Sequence, residues 1–250
     1  MSYVKKLLFF FSILLTIFSC KNFQATNKIY RNKNNVILTE KEYTFITEFY
    51  NYSYFENMTF DDYLWLKDLD INNSNVNIYY LTDEGIPNEL KYFKNDYSHQ
   101  TKTKKLTVAS SCSDTCTIVT NLNWILNPVI RSYDIIGARF INTFLAFNSI
   151  STKVSSTKGT QFFNNHKYQK NGIGSSIKLP MDSSNIFVQQ KFTTIKQGTI
   201  YISYQHAITS INLQTSQKYN IGSNGYGNVF IFYGDAINKF DTMNGIKIDL

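Results

Sequence analysis

The chain has 250 residues, of which 43% are hydrophobic, 16% aromatic and 17% charged, with 11 glycines and 3 prolines. That is enough apolar material for one large domain or two modest ones, and it excludes a wholly disordered or collagen-like chain. The formal net charge of +7 is unevenly spread, because residues 21–97 carry 8 basic and 12 acidic side chains while residues 98–250 carry 15 and 6.

At the N-terminus Lys5 and Lys6 precede an uncharged apolar stretch from Leu7 to Phe18. As a helix that stretch reaches only about 18 Å, short of a hydrocarbon core of about 30 Å. A basic start, a short apolar run and a small residue at its end describe an export signal. The run closes on Ile17, Phe18, Ser19 and Cys20. This resembles a bacterial lipoprotein signal, in which an aliphatic residue and a small residue precede the cysteine that becomes the mature N-terminus. Ile17, Ser19 and Cys20 match that pattern; Phe18 is bulkier than its usual occupant. The resemblance implies cleavage before Cys20, diacylation through its sulfur and acylation of the new amine, and several acyl chains together anchor stably where one is marginal. An ordinary secretory signal with an incidental cysteine is the competing reading. The division that follows is a signal peptide at 1–19, a lipidated Cys20 and tether at 20–35, a small acidic helical segment at 36–97 and a basic β-sandwich at 98–250.

Residues 21–35 are polar, rich in Asn and Lys, and without apolar period, as a solvated tether requires. Thr39 and Glu42 then form a capping box. Behind it Tyr43, Ile46, Phe49 and Tyr50 recur at helical spacing, which predicts a helix over about 39–52. A second box-like start at Thr59 and Asp62 leads through Tyr63, Leu64 and Leu66 to Leu69, with Trp65 on a neighbouring face. Two short facing helices are expected, followed by a strand at Val76–Leu81 and a turn at Asp83, Glu84, Gly85 and Pro87.

Residues 95–105 mark the expected boundary, where the sign of the charge changes. Glu89 is the last glutamate, and from Leu106 onward Thr, Ser, Ile, Val, Tyr and Phe dominate. Strands are predicted at Thr117–Trp124, Tyr133–Phe140, Ile173–Leu179, Ile186–Thr194, Thr199–Gln205 and Val229–Tyr233. In the fifth, Ile200, Ile202 and Tyr204 alternate with Tyr201, Ser203 and Gln205, as one buried and one wetter face require. The last, apolar on both faces, is expected to be central, with Gly222, Gly225 and Gly227 supplying the turn before it. Strands at this spacing fit an antiparallel sandwich or jelly roll. The acidic helical segment is expected to dock on the basic β region.

Apart from Cys20 the cysteines are Cys112 and Cys116, and an even remainder in an exported chain points to one disulfide. It pins a local turn, since so small a loop contributes only about 2 kcal/mol of unfolded-chain entropy. His99, His166 and His206 lie far apart, so no metal site or cofactor is expected. The chain has no HExxH, GxSxG or Walker-type phosphate loop. Paired acids occur at Asp61 and Asp62 and at Glu40 and Glu42, where helix capping explains them. Asp134 lies near Arg131 and Arg139, for which a structural ion pair is the default; Asp235 also ends an apolar strand. His206, at the end of a strand, is the most plausible single base.

Binding is better supported. The 18 tyrosines and 20 phenylalanines exceed what one core hides, and Tyr201, Tyr204, His206 and Tyr226 are the expected contact surface, with Tyr219 and Tyr233 nearby. The dispersed lysines, tight only at Lys102, Lys104 and Lys105, argue against a nucleic-acid reader. The expected function is an anchored, non-catalytic β-sandwich module that binds glycan, protein or an anionic envelope polymer. The alternatives are an envelope hydrolase with its site on the sandwich rim and a secreted toxin or effector.

Overall fold

A computed structural model describes residues 28–72, 76–82, 103–146, 149–214, 218–222, 229–241, 243 and 245–250. The turn at 83–87, residues 95–102 of the expected boundary, His99, Cys20 and Tyr226 lie outside the described residues.

The chain opens with a small ribbon, β1 (Ile29–Arg31) paired antiparallel with β2 (Ile37–Thr39). Three short helices follow: α1 (Glu40–Phe49), α2 (Tyr52–Asn57) and α3 (Phe60–Leu66). The single helix expected over 39–52 is thus α1, and the chain restarts as α2. Asn51 caps α2 through its side chain and the Tyr54 N–H, a local signal for a new helix start. Both expected capping boxes are present. The Thr39 hydroxyl accepts from the Glu42 N–H at 3.2 Å and the Glu42 carboxylate accepts from the Thr39 N–H at 2.8 Å. Thr59 and Asp62 repeat the exchange at 3.2 and 3.1 Å. In α3 the inward residues are Trp65 and Leu66, while Leu64 is exposed; the core lies on the Trp65 side of the helix.

The β region is a sandwich of two antiparallel sheets. The six-stranded sheet runs in the order β3 (Asn77–Thr82), β4 (Lys104–Cys112), β5 (Thr115–Trp124), β11 (Phe187–Ile195), β7 (Ser151–Ser156), β8 (Gly159–Phe163). The five-stranded sheet runs β15 (Ile246–Asp249), β12 (Thr199–Gln205), β6 (Tyr133–Ile141), β10 (Gly172–Lys178), β9 (His166–Gln169). Five of the six predicted strands of the β region correspond to β5, β6, β10, β11 and β12 within two residues at each end. β3, from the acidic side of the expected boundary, pairs with β4 from its basic side, with Ile78 opposite Ala109.

Alternation along each strand sorts the side chains into layers. Ile200, Ile202 and Tyr204 of β12 face Leu106, Ile118, Val188 and Phe192 in the core between the sheets. The opposite face of β12 was expected to be wetter, yet Tyr201 and Ser203 are buried too. The reason is an outer layer: the described parts of 207–240 lie over the five-stranded sheet and bury Tyr201 with Ile135, Tyr219, Val229 and Phe230. Close approach is possible because Gly174 has no side chain; a Cβ there would stand 2.8 Å from the Tyr219 ring. The segment expected as a central strand is β14 (Phe230–Phe232), which pairs only with β13 (Tyr219–Ile221) in a two-stranded ribbon of this layer. Its apolar faces differ in fate, Phe230 being buried and Ile231 exposed.

The helices cover the other side of the sandwich. Phe45, Phe49, Tyr54, Phe55, Leu66 and Leu69 pack against Ala109, Val119 and Phe187 on the outward face of the six-stranded sheet. Charge finishes the docking in the expected sense, acidic helix to basic strand. Lys153 of β7 binds Asp62 at 2.6 Å and Lys191 of β11 binds Asp68 at 2.6 Å. The two ammonium groups lie 4.6 and 5.3 Å from the Trp65 ring, within cation–π range.

Cys112 and Cys116 are bonded and face one another across the β4–β5 hairpin. The bond closes a turn already set by strand pairing, so it contributes locally.

Candidate functional site

Among the described residues, polar groups converge on a cleft between the helices and the β7–β8 hairpin. It has a volume of about 450 Å³ and is lined from α2 and α3 by Ser53, Tyr54, Asn57, Asp61 and Asp62, from the hairpin by Lys153, Ser155, Thr160 and Phe162, and from the start of β11 and the loop before it by Phe187 and Asn185. A capping box sets its floor, because the turn that starts α3 aims Asp62 inward while Asp61 faces the mouth. Asp62 accepts from the Thr59 N–H and hydroxyl and from Lys153. Burial pushes the Asp62 carboxyl up, but the attraction and hydrogen bond of Lys153 and the bonds from Thr59 outweigh it and hold the group below its ordinary range. Burial pushes the Lys153 amine down despite the attraction of Asp62.

Behind the inner wall, to which Tyr54, Ser155 and Thr160 contribute, runs a buried polar ladder. Gln189 Oε1 accepts from the Tyr50 and Tyr54 hydroxyls at 3.1 and 3.4 Å, and Gln189 Nε2 donates to Ser155 at 3.3 Å. The Tyr50 and Tyr54 rings stack at 3.8 Å, and burial pushes both hydroxyls well above the usual phenol range. Ser155 in turn meets Thr160 at 3.0 Å. At the mouth, Phe162 is 59% exposed, and the exposed Asp61 carboxylate attracts Lys153 through space. The cleft thus offers a paired floor, several hydroxyls and amides, one exposed carboxylate and one exposed aromatic ring. Pairing Asp61 with Asp62 at one opening was visible as adjacent acids; the contribution of β7 and β8 was not, because those residues lie about a hundred positions away.

Of the expected tyrosine surface, Tyr226 lies outside the described residues and the two β12 tyrosines are not at the surface. Tyr201 and Tyr204 are buried, on opposite faces of β12, and the side chain of His206 is only 12% exposed. Asp134 is also placed differently from the expectation of an arginine pair. It is fully buried and meets the Tyr204 hydroxyl, the Ala207 N–H at 2.9 Å and His206 Nδ1 at 3.0 Å. Arg131 turns away to the Pro180 and Ser183 carbonyls at 2.6 and 2.7 Å, and Arg139 lies 4.5 Å over the Tyr201 ring on the other face of the sheet. Burial pushes the Asp134 carboxyl above its ordinary range, against the opposing pull of His206, Tyr204 and Ala207. A carboxyl with this many donors is an interior strut that ties β6 to the end of β12. His206 does not line the cleft.

His166 meets the buried Ser175 hydroxyl at 2.8 Å, and burial lowers the imidazole. Ser175 is enclosed by Gln190 and Thr152 at 2.8 and 2.9 Å, a polar plug between the sheets. Asp235 pairs with Lys218 at 2.8 Å on the surface. Among the described residues no group of three or more His, Cys, Asp or Glu side chains is placed to hold a metal ion.

The sequence matches no protein-family model, and no curated protein is similar to it. Among solved structures, one concerning pH-induced modulation of Streptococcus parasanguinis adhesion by fimbriae aligns at 12% identity and a TM-score of 0.31, over 70% of this chain and 89% of the other. The pilus backbone of Streptococcus pneumoniae aligns at 10% identity and a TM-score of 0.27, over 54% of this chain and 32% of the other.

Proposed function

We propose that this chain is an exported, lipid-anchored binding module whose cleft between the helices and the β7–β8 hairpin takes a glycan. The cleft itself carries the reading: about 450 Å³ is the size of a small-ligand site. Its lining alternates donors and acceptors, as a polyhydroxylated ligand requires, beside a ring on which an apolar sugar face can rest. The floor is held by the Lys153–Asp62 pair and the wall by the Gln189 ladder, so little order is lost on binding. Asp61 accepts from sugar hydroxyls and Phe162 supplies the platform.

The test is a glycan array followed by calorimetry on the strongest hit. Asp61→Ala and Phe162→Ala are each expected to weaken binding at least about tenfold, roughly the loss of one charge-assisted hydrogen bond or one aromatic contact, with an unchanged melting temperature. Affinity that survives both substitutions, or an array with no specific hit, overturns the proposal.

The anchor rests on the Ile17–Ser19–Cys20 resemblance. In a bacterial host, Cys20→Ser is expected to move the protein from the membrane fraction to the soluble one, followed by fractionation and by labelling with a fatty-acid analogue. Unchanged fractionation with no label on the unsubstituted chain overturns the anchor and leaves the cleft proposal standing.

A further inference from the structure

We propose that Lys104 and Asp241 condense into a side-chain amide that cross-links the sandwich between its first long strand and the segment leading to its last. Lys104 opens β4 of the six-stranded sheet, and Asp241 lies just before β15 of the five-stranded sheet. The Lys104 ammonium is in direct contact with Asp241 Oδ2. The Lys104 side chain is 6% exposed and that of Asp241 26%. The ammonium is flanked by the Trp124 and Tyr204 rings, at 5.6 and 5.9 Å from their centroids. Trp124 Nε1 donates to Tyr204 Oη at 3.2 Å, so this aromatic box is fixed.

The acceptor is held as firmly. The main-chain N–H of His206 donates to Asp241 Oδ1 at 2.9 Å, and the N–H of Asp241 donates back to the His206 carbonyl at 2.9 Å. The neighbouring bridge between Ala207 and Phe240 pins the segment on the other side. His206 is itself held by Asp134. One carboxylate oxygen therefore sits on a main-chain donor and the other on the amine.

The reaction balances within this pair. The ammonium gives up two protons, its nitrogen bonds to Asp241 Cγ, the Cγ–Oδ2 bond breaks, and Oδ2 leaves with both protons as one water. Nothing is oxidised or reduced and no co-reactant is needed. The His206 N–H stabilises negative charge developing on Oδ1. Holding the two groups in contact replaces an encounter between separate molecules. The product is an uncharged amide where a largely buried ion pair stood, so the desolvation penalty of the two charges is relieved. Aromatic walls that exclude water oppose hydrolysis back to the pair, and the exposed flank of Asp241 lets the water leave.

The experiment is intact mass spectrometry of the full purified chain, then fragmentation of its proteolytic digest. The expected mass is below that of the disulfide-bonded sequence by one water, and the digest contains a branched peptide joining the segments around Lys104 and Asp241. Lys104→Met and Asp241→Ala each restore the full mass. On a denaturing gel both migrate more slowly than the unsubstituted chain, whose closed loop keeps it compact. The branched peptide is read on the unsubstituted protein, so misfolding of a variant does not decide the matter. Full mass with Lys104 and Asp241 only in linear peptides overturns the proposal, as does a water loss mapped to another site. Neither outcome bears on glycan binding in the cleft.

Discussion

Replacing Lys153 with methionine is expected to destabilise the fold by about 3–5 kcal/mol, the cost of stripping one partner from a buried ion pair. Lys153 holds Asp62 at 2.6 Å beside the Trp65 ring, at the floor of the cleft. The methionine fills the same volume, so the loss reports an uncompensated carboxylate. Lys153→Met with Asp62→Asn removes that charge while keeping the acceptor that caps α3, and is expected to recover most of the loss.

The pH dependence gives an independent check. In the unsubstituted protein Asp62 is held low, so its contribution is present above the ordinary carboxyl value of about 3.9 and is lost as pH falls through the lower folded value. Without Lys153, burial is opposed only by the Thr59 hydrogen bonds, and the Asp62 carboxyl moves up. The variant then loses stability as pH rises above the ordinary carboxyl range. The deficit between the two proteins should therefore widen from acid to neutral pH in urea unfolding curves. A deficit that does not change with pH, or a double variant no better than the single, contradicts this account of the pair.

The legibility of the sequence follows from the range over which each signal acts. Thr39 with Glu42 and Thr59 with Asp62 act over three residues, so both helix starts were readable. Strand periodicity acts over seven or so, and β12 is found at Thr199–Gln205 as expected. The charge division between acidic and basic parts became the contacts of Asp62 with Lys153 and Asp68 with Lys191. Asp134 shows where proximity misleads. Arg139 is five residues on, an odd step along a strand, so alternation sends the two side chains to opposite faces of the sheet. Asp134 and Tyr204 meet because Tyr204 pairs with Ile136, two residues from Asp134 and on the same face. That register depends on which strands are neighbours, which periodicity alone does not state. The tyrosines were misread for a related reason: a large amphipathic residue marks a surface only when nothing covers it. The layer holding Tyr219, Ile221 and Phe230 covers Tyr201, and the opposite sheet covers Tyr204. The cleft escaped notice because its two walls come from segments distant in the chain.

Asp134 carries the second large effect, and its pH signature has the opposite sign. Asp134→Ala is expected to lose at least about 3 kcal/mol, because the Tyr204 hydroxyl, the Ala207 N–H and the His206 ring are all left facing a void, at about 1–3 kcal/mol for each orphaned buried group. Asp134→Asn keeps one oxygen for the Ala207 N–H and puts its amide NH2 against the Tyr204 oxygen, which can accept from it in place of donating, and is expected to lose less than the alanine. Burial raises the Asp134 carboxyl in the folded chain, so native Asp134 keeps its proton where the unfolded chain has released it. Its contribution is complete below the ordinary carboxyl value and is lost as pH rises through the folded one. The asparagine, which does not titrate, escapes that loss. Stability of Asp134→Asn relative to the unsubstituted protein should therefore improve as pH rises above about 4, measured by urea unfolding at a series of pH values. Parallel curves for the two proteins would mean that Asp134 does not hold its proton in the folded chain, and that Tyr204, His206 and Ala207 together stabilise its carboxylate instead.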